Sequence, residues 1–310
     1  MTREDEALVA LLRRLDALGY DFTAITPASH ARVVERTEMV EARSLHDVFG
    51  WSLPFAADLL PDDVLALLRE AGALVADRGR LRSRWRVARL GGKLFLHSAY
   101  PTEAEDSVFF GPDSYRFARF LAAELAAGKS ASRLVDMGAG CGAGALSAAT
   151  VLPGARLTLI DTNPEALRLA RINAAAAGLV IETVCGESLD AAPSPFDLFI
   201  ANPPFLMDEG ARTYRDGGDM LGARLSLDWS LAAARRLPPG GRALLYTGSA
   251  IVGGYDGLRA ALAEALPPLG CSLRYEEFDP DVFGEELSEP AYREVERIAI
   301  VGAAIERRDP

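Results

Sequence analysis

Leucines at 8, 11, 12, 15 and 18 fall on one stripe of a 3.6-residue repeat, so residues 4–18 read as an amphipathic helix. A weaker helical pattern runs over about 30–48. Residues 62–71 are a stronger helix, opened by Pro61, Asp62 and Asp63 and followed by Gly72, which suits the helix dipole and a terminal glycine. Two extended runs then flank Gly91-Gly92, the pattern of a β-hairpin. Past residue 115 short apolar runs alternate with helical stretches. Strands are expected at 133–138, 156–161, 181–186, 196–204, 241–249, 271–278 and 293–305. Helices are expected at 144–152, 164–177, 222–236 and 257–266, with Asn163 capping the second. Apolar strands separated by helices predict a mostly parallel, doubly wound α/β sheet. The chain therefore reads as a smaller N-terminal helical, winged-helix-like domain (1–105) and a larger α/β domain (106–310).

Composition narrows the function classes. The 310 residues are 49% hydrophobic and 25% charged, as in ordinary globular proteins. No apolar run is long enough to predict a membrane span, and the acids and arginines of the first helix do not suit a signal peptide. The net charge of −11 argues against general binding to phosphate backbones. Cys141, Cys185 and Cys271 are widely separated and form no C-x-x-C, and His30, His46 and His97 have no ligand spacing. Reduced thiols, a cytoplasmic location and no metal site are the expectation. Composition does not indicate an oligomeric state.

The candidate chemistry lies at strand ends. The first strand of the α/β domain runs into Asp136-Met137-Gly138-Ala139-Gly140-Cys141-Gly142. Glycines there allow a sharp strand-to-helix turn and close approach of a ligand to the backbone. The second strand ends in Asp161, placed to accept both hydroxyls of a ribose. Alone, this pattern also suits a dinucleotide, and an NAD-dependent oxidoreductase is the alternative from another class. A carboxylate at Asp136 would repel a pyrophosphate and tolerate a cationic ligand. The fourth strand ends in Asn202-Pro203-Pro204-Phe205. The prolines make that turn rigid. The Asn202 amide oxygen and the Pro203 carbonyl are then two fixed acceptors for a planar –NH2, and Phe205 offers a flat ring.

These residues, with Cys185-Gly186-Glu187 between them, resemble the class I S-adenosylmethionine-dependent methyltransferases over about residues 106–305. The resemblance implies a Rossmann-like sheet of seven strands with the last antiparallel. It implies that Asp136, Gly138, Ala139, Gly140, Gly142, Asp161, Glu187 and Asn202 line the cofactor, with Glu187 near the adenine. N-P-P-F is similar to the motif of HemK-like protein glutamine methyltransferases and of several base methyltransferases. The expected activity is N-methylation of a planar amide or exocyclic nitrogen, foremost a protein glutamine-type side chain, next a base in RNA or DNA, and third a small molecule. Residues 109–117 loosely resemble the segment that covers the cofactor's methionine end in HemK-like enzymes. The N-terminal domain (1–105) is then the expected substrate-recognition domain, and two further groups are substrate candidates. Arg78, Arg80, Arg82, Arg84 and Arg86 alternate at period two and would share one face of a strand, with Arg80, Arg82 and Arg84 at its centre. Tyr214 and Arg215 follow N-P-P-F in an expected loop.

Overall fold

In the computed structural model, residues 1–102, 104, 106–126, 131–192, 194–207 and 217–308 are described. The chain forms two compact units. One comprises residues 1–116, 140–147 and 163–181, the other 117–139, 148–162 and 182–310.

The first unit opens with α1 (Arg3–Ala17). Thr2 caps it reciprocally with Asp5, and Leu8, Leu11, Leu12 and Leu15 are buried. Leu18, the last leucine of the expected stripe, is the exposed C-cap. The weak pattern over 30–48 is not one helix. It resolves into α2 (Pro27–Val34) and α3 (Leu45–Phe49), each started by a capping hydroxyl, Thr26 and Ser44. α4 (Asp62–Glu70) packs on α1. The extended segment before Gly91 is likewise two strands rather than one. β1 (Leu74–Asp77) and β2 (Arg80–Ser83) pair through a two-residue turn at Arg78-Gly79, where both residues have positive φ. β3 (Trp85–Leu90) and β4 (Lys93–Ser98) form the expected hairpin around Gly91-Gly92.

α5 (Pro112–Leu125) follows. Then come β5 (Arg133–Met137), α6 (Ala143–Val151), β6 (Arg156–Asp161), α7 (Pro164–Ala176), β7 (Glu182–Cys185), β8 (Leu198–Ala201), α8 (Arg224–Arg236), β9 (Arg242–Val252), β10 (Tyr255–Asp256), α9 (Gly257–Ala265), β11 (Cys271–Asp279) and β12 (Arg297–Arg307). Asn163 caps α7 as expected, accepting from the Glu165 N–H. In the first unit, Asn173 of α7 bonds the backbone of Leu96 on β4 and donates to the Cys141 carbonyl, which ties the glycine-loop segment to the hairpin.

The second unit holds the large sheet, in the order β11-β12-β9-β8-β5-β6-β7. β5 is parallel to β6 and β8, and β12 is antiparallel to β9 and β11. This is the mostly parallel Rossmann-like sheet expected from the sequence, with the last strand reversed and the two-residue β10 added at the end of β9. All four residues of β8 are buried, the continuous apolar run that a central parallel strand requires. No helix among the described residues is long and apolar enough to cross a membrane.

Candidate active site at the carboxyl edge of the sheet

Sheet register brings the candidate residues together. Met137 lies opposite Ile160 on one side and Ala201 on the other. Gly138, Asp161 and Asn202 therefore leave the sheet side by side at its carboxyl edge. Asp161 pairs with Cys185, and its carbonyl accepts from the Gly186 N–H at 3.1 Å, so Glu187 extends from the same edge and is exposed. Open parallel sheets bind ligands at this edge, where the strand order reverses direction.

The glycine loop has the backbone its sequence implies. Gly138, Gly140 and Gly142 have φ of +69°, +54° and +86°. The Gly138 and Ala139 N–H groups both donate to the Ile160 carbonyl, at 2.9 and 3.1 Å, which pins the start of the loop to β6. A Cβ at Gly138 would also lie 3.0 Å from the Trp229 ring of α8, whereas one at Gly140 would meet nothing within 4 Å. Asp136 is buried, 1% exposed.

N-P-P-F forms the other half of the edge. The Asn202 Oδ1 is buried and has no hydrogen-bond partner among the described residues. A buried acceptor without a donor costs about 1–3 kcal/mol. The rigid Pro203-Pro204 turn holds it there. Phe205 is more enclosed than a simple platform. Its ring lies on Gly248 of β9, where a Cβ would come within 2.3 Å, and meets Phe283 edge-on at 5.7 Å. The Gly222 backbone closes over the Phe205 carbonyl, and the Met207 N–H donates to the Tyr292 hydroxyl at 2.6 Å. Gly248, Phe283 and Tyr292 were not among the residues singled out from the sequence. A glycine inside the apolar strand 241–249 was the available signal, since it marks close approach of another group. Trp229 gave no signal beyond an aromatic on an amphipathic helix.

The arginine stripe does not exist as one face. Arg78 sits in the β1–β2 turn. Arg80 pairs with Glu41 at 2.8 Å. Arg82 pairs with Asp77 at 2.8 Å and donates to the Ser52 carbonyl. Arg84 is exposed between strands, and Arg86 is buried. The hairpin at Arg78-Gly79 breaks the period of two. The own-chain acids that neutralise Arg80 and Arg82 are Glu41 and Asp77. Within residues 109–117, Phe110 stacks on Phe95 and His97, and the Tyr115 hydroxyl accepts from the Ala24 N–H at 2.8 Å, so residues 109–116 are part of the first unit's packing. Tyr214 and Arg215 lie outside the described residues.

Residues 106–226 match the methyltransferase small domain family. This domain holds the glycine loop, Asp161, Glu187 and N-P-P-F. The chain is 32% identical over 182 residues to the release factor glutamine methyltransferase of Bordetella pertussis, covering 56% of this chain and 66% of that protein. It is 46% identical over 74 residues to the enzyme of that name from Deinococcus radiodurans, covering 24% and 27% of the two chains. It is 36% identical over 112 residues to the ribosomal RNA small subunit methyltransferase C of Pseudomonas aeruginosa, covering 36% and 31%. The chain thus spans between about a quarter and two thirds of the length of these relatives. A solved structure from Pyrococcus horikoshii shares the fold, with a TM-score of 0.50 at 11% identity over 80% of this chain and 83% of that one.

The donor set within residues 106–226 fits S-adenosylmethionine. A carboxylate at the end of β6 suits ribose hydroxyls, left-handed glycines open the β5 turn, and buried Asp136 suits a cationic ligand rather than a pyrophosphate. The relationship to methyltransferases leaves the oxidoreductase alternative without support.

Proposed function

We propose that this chain is an S-adenosylmethionine-dependent N-methyltransferase whose acceptor is a planar amide nitrogen, a glutamine-type side chain of a protein. The observation that carries the reading is the buried Asn202 Oδ1, without a hydrogen-bond partner among the described residues, on a rigid turn beside Gly138 and Asp161. S-adenosylmethionine supplies an electrophilic methyl group on a sulfonium. Asp161 would hold its ribose, the turn from Gly138 to Gly142 would take its amino-acid end, and Glu187 would lie near the adenine. The Asn202 Oδ1 and the Pro203 carbonyl would accept the two hydrogens of the target –NH2. That orients the nitrogen lone pair and stabilises the positive charge that develops on nitrogen as the new bond forms. Such a site needs no strong base before transfer. Phe205, held by Gly248 and Phe283, would present its remaining ring surface to a planar group.

A base nitrogen in RNA is the second reading, favoured by the relatives that methylate ribosomal RNA. The net charge of −11 and the neutralisation of Arg80 and Arg82 by own-chain acids weigh against it. The reading includes a cytoplasmic location, which suits Cys141, Cys185 and Cys271, none of them in a disulfide. The test is transfer of tritiated methyl from S-adenosylmethionine by the purified chain to bacterial release factors and, separately, to ribosomal RNA. Label in a glutamine side chain supports the first reading and label in a base supports the second. Binding of NAD in preference to S-adenosylhomocysteine by calorimetry refutes both.

A further inference from the structure

The first unit holds a second set of buried polar atoms without partners among the described residues. Arg86 on β3 and His97 on β4 are directly opposite in the hairpin register, so their side chains leave the same face. The Arg86 Nε donates to the Gly50 carbonyl at 2.9 Å, and the His30 Nε2 lies 3.2 Å from the carbonyl of the next residue, Trp51. Consecutive carbonyls thus hold the guanidinium and the His30 ring. Arg86, His97 and His30 are 5%, 1% and 0% exposed. The Arg86 Nη2, His97 Nε2 and His30 Nδ1 all lack a hydrogen-bond partner among the described residues. The walls are aromatic. Phe22 lies 5.5 Å from the guanidinium, Tyr100 4.2 Å from the His30 ring, and Phe110 5.2 Å from the His97 ring.

A buried guanidinium with no carboxylate beside it costs several kcal/mol, more than one aromatic face returns. Arg242 in the second unit is also nearly buried, but it is paired with Glu124 at 2.9 Å. Facing a carbonyl, the His30 Nε2 must carry the ring proton, so the neutral ring leaves Nδ1 as a bare lone pair. A lone pair repels an anion, and a second ring proton turns it into a donor.

We propose that Arg86, His97 and His30 enclose a site for one small oxyanion, a phosphate or a carboxylate, taken up together with a proton on histidine. The anion accepts from the Arg86 Nη2 and from the newly protonated imidazole. Burial, and then the charge of Arg86, hold the proton affinity of both rings low, His30 at about 4. A bound anion cancels that repulsion. The other titratable groups around Arg86 are Tyr20, whose hydroxyl donates to the Val87 carbonyl, and Tyr115. Asp21 acts on both tyrosines and pairs with Arg89, and exposed His46 meets Phe22 edge-on at 5.0 Å. Burial pushes both tyrosines upward, so neither ionises near neutral pH. The site does not rest on methyl transfer.

The test uses the full chain and two probes, sodium phosphate and sodium acetate, each against sodium chloride at equal ionic strength. Thermal unfolding and calorimetry are run at pH 6 and pH 8. The expected result is a saturable rise in Tm with one of the probes and one site per chain, at least five-fold tighter at pH 6. The response should fall at least ten-fold in Arg86→Met and in His97→Phe, and persist in the control Arg84→Ser. The probe that saturates at lower concentration separates phosphate from carboxylate. If Arg86→Met does not fold, His97→Phe, which keeps a ring against Phe110, carries the test alone. Equal, unsaturating responses in wild type and variants would be a general salt effect and overturn the proposal. So would no response to either probe.

Discussion

Asn202 at the end of β8 and Arg86 in β3 each keep a buried polar atom without a partner among the described residues, and the two atoms differ in charge and in setting. The Asn202 oxygen is neutral, on a turn made stiff by two prolines, in a residue that is only partly buried. Leaving it open costs about 1–3 kcal/mol, and an arriving N–H recovers that when it binds. Arg86 is charged and enclosed by the hairpin, Phe22 and two histidines. Leaving it open costs more, and an arriving ligand must bring charge as well as an acceptor. The difference explains how a protein can present one open polar group ready for catalysis at little cost to its fold, while another weakens the fold until it is neutralised.

Removing the neutral acceptor should have the largest effect, and only on chemistry. Asn202→Ala should keep the fold and nearly all cofactor affinity while single-turnover methyl transfer falls by about 10²–10³, the scale for losing one electrostatic stabiliser of a transition state. Calorimetry with S-adenosylhomocysteine, run beside the turnover measurement, separates the two effects. Full turnover in this variant would make N-P-P-F a structural turn and remove the contrast with Arg86.

Acid should act on the other region. His30 has a folded pKa of about 4, below its unfolded value near 6.5, and that of His97 is lowered in the same direction. Between those pH values the unfolded chain binds more protons than the folded one. The stability held in the neutral rings is therefore complete above about pH 6.5 and is lost as pH falls toward 4. At about 1.4 kcal/mol per unit, His30 alone accounts for about 3 kcal/mol. Urea unfolding in chloride buffer from pH 7.5 to 4.5 should show this loss, and His30→Gln should shrink it. A flat profile in wild type would mean that the rings are hydrated and that Arg86 is less enclosed than its geometry shows.

A smaller effect is expected at Asp161, where the ligand supplies hydroxyls rather than charge. Asp161→Ala should weaken S-adenosylhomocysteine binding by about 1–3 kcal/mol, the range for hydrogen bonds to an ionised group. The change should appear in calorimetric affinity with no shift in Tm of the free chain.

The sheet edge was readable from the sequence because each part of it follows from short-range rules. A glycine run after an apolar strand, an acid ending the next strand and two consecutive prolines fix their own backbones. Parallel register then aligns Gly138, Asp161 and Asn202 without further information. The first unit was harder to read because its outcome turns on longer-range choices. Arg78 adopts a positive φ in a two-residue turn, which only the pairing of β1 with β2 rewards, so the alternation of arginines pointed to a face that does not form. Arg86 became a core residue because Gly50, 36 residues away, supplies a carbonyl and Phe22 covers the guanidinium, whereas its pairing with His97 follows from the local Gly91-Gly92 turn. The packing of Phe205 against Gly248 and Phe283 likewise joins positions far apart in the chain.

The least change is expected at the arginines of β2. Arg80 and Arg82 sit six and four residues before Arg86, yet both are satisfied at the surface, by Glu41 and Asp77. The Arg80–Glu41 side chains are 48% and 41% exposed, where such a pair contributes about 0–1 kcal/mol. Arg80→Ser with Arg82→Ser should therefore lower stability only slightly in urea unfolding. If both arginines already spend their charge on this chain's own carboxylates, the double variant should also leave the salt dependence of any RNA binding unchanged. A slope lower by about 0.7 for each arginine on a single strand would mean that they exchange Glu41 and Asp77 for phosphates. That exchange would move the acceptor toward nucleic acid while leaving the roles of Asn202 and Arg86 as they stand, because neither of those residues draws on the exposed surface of β2.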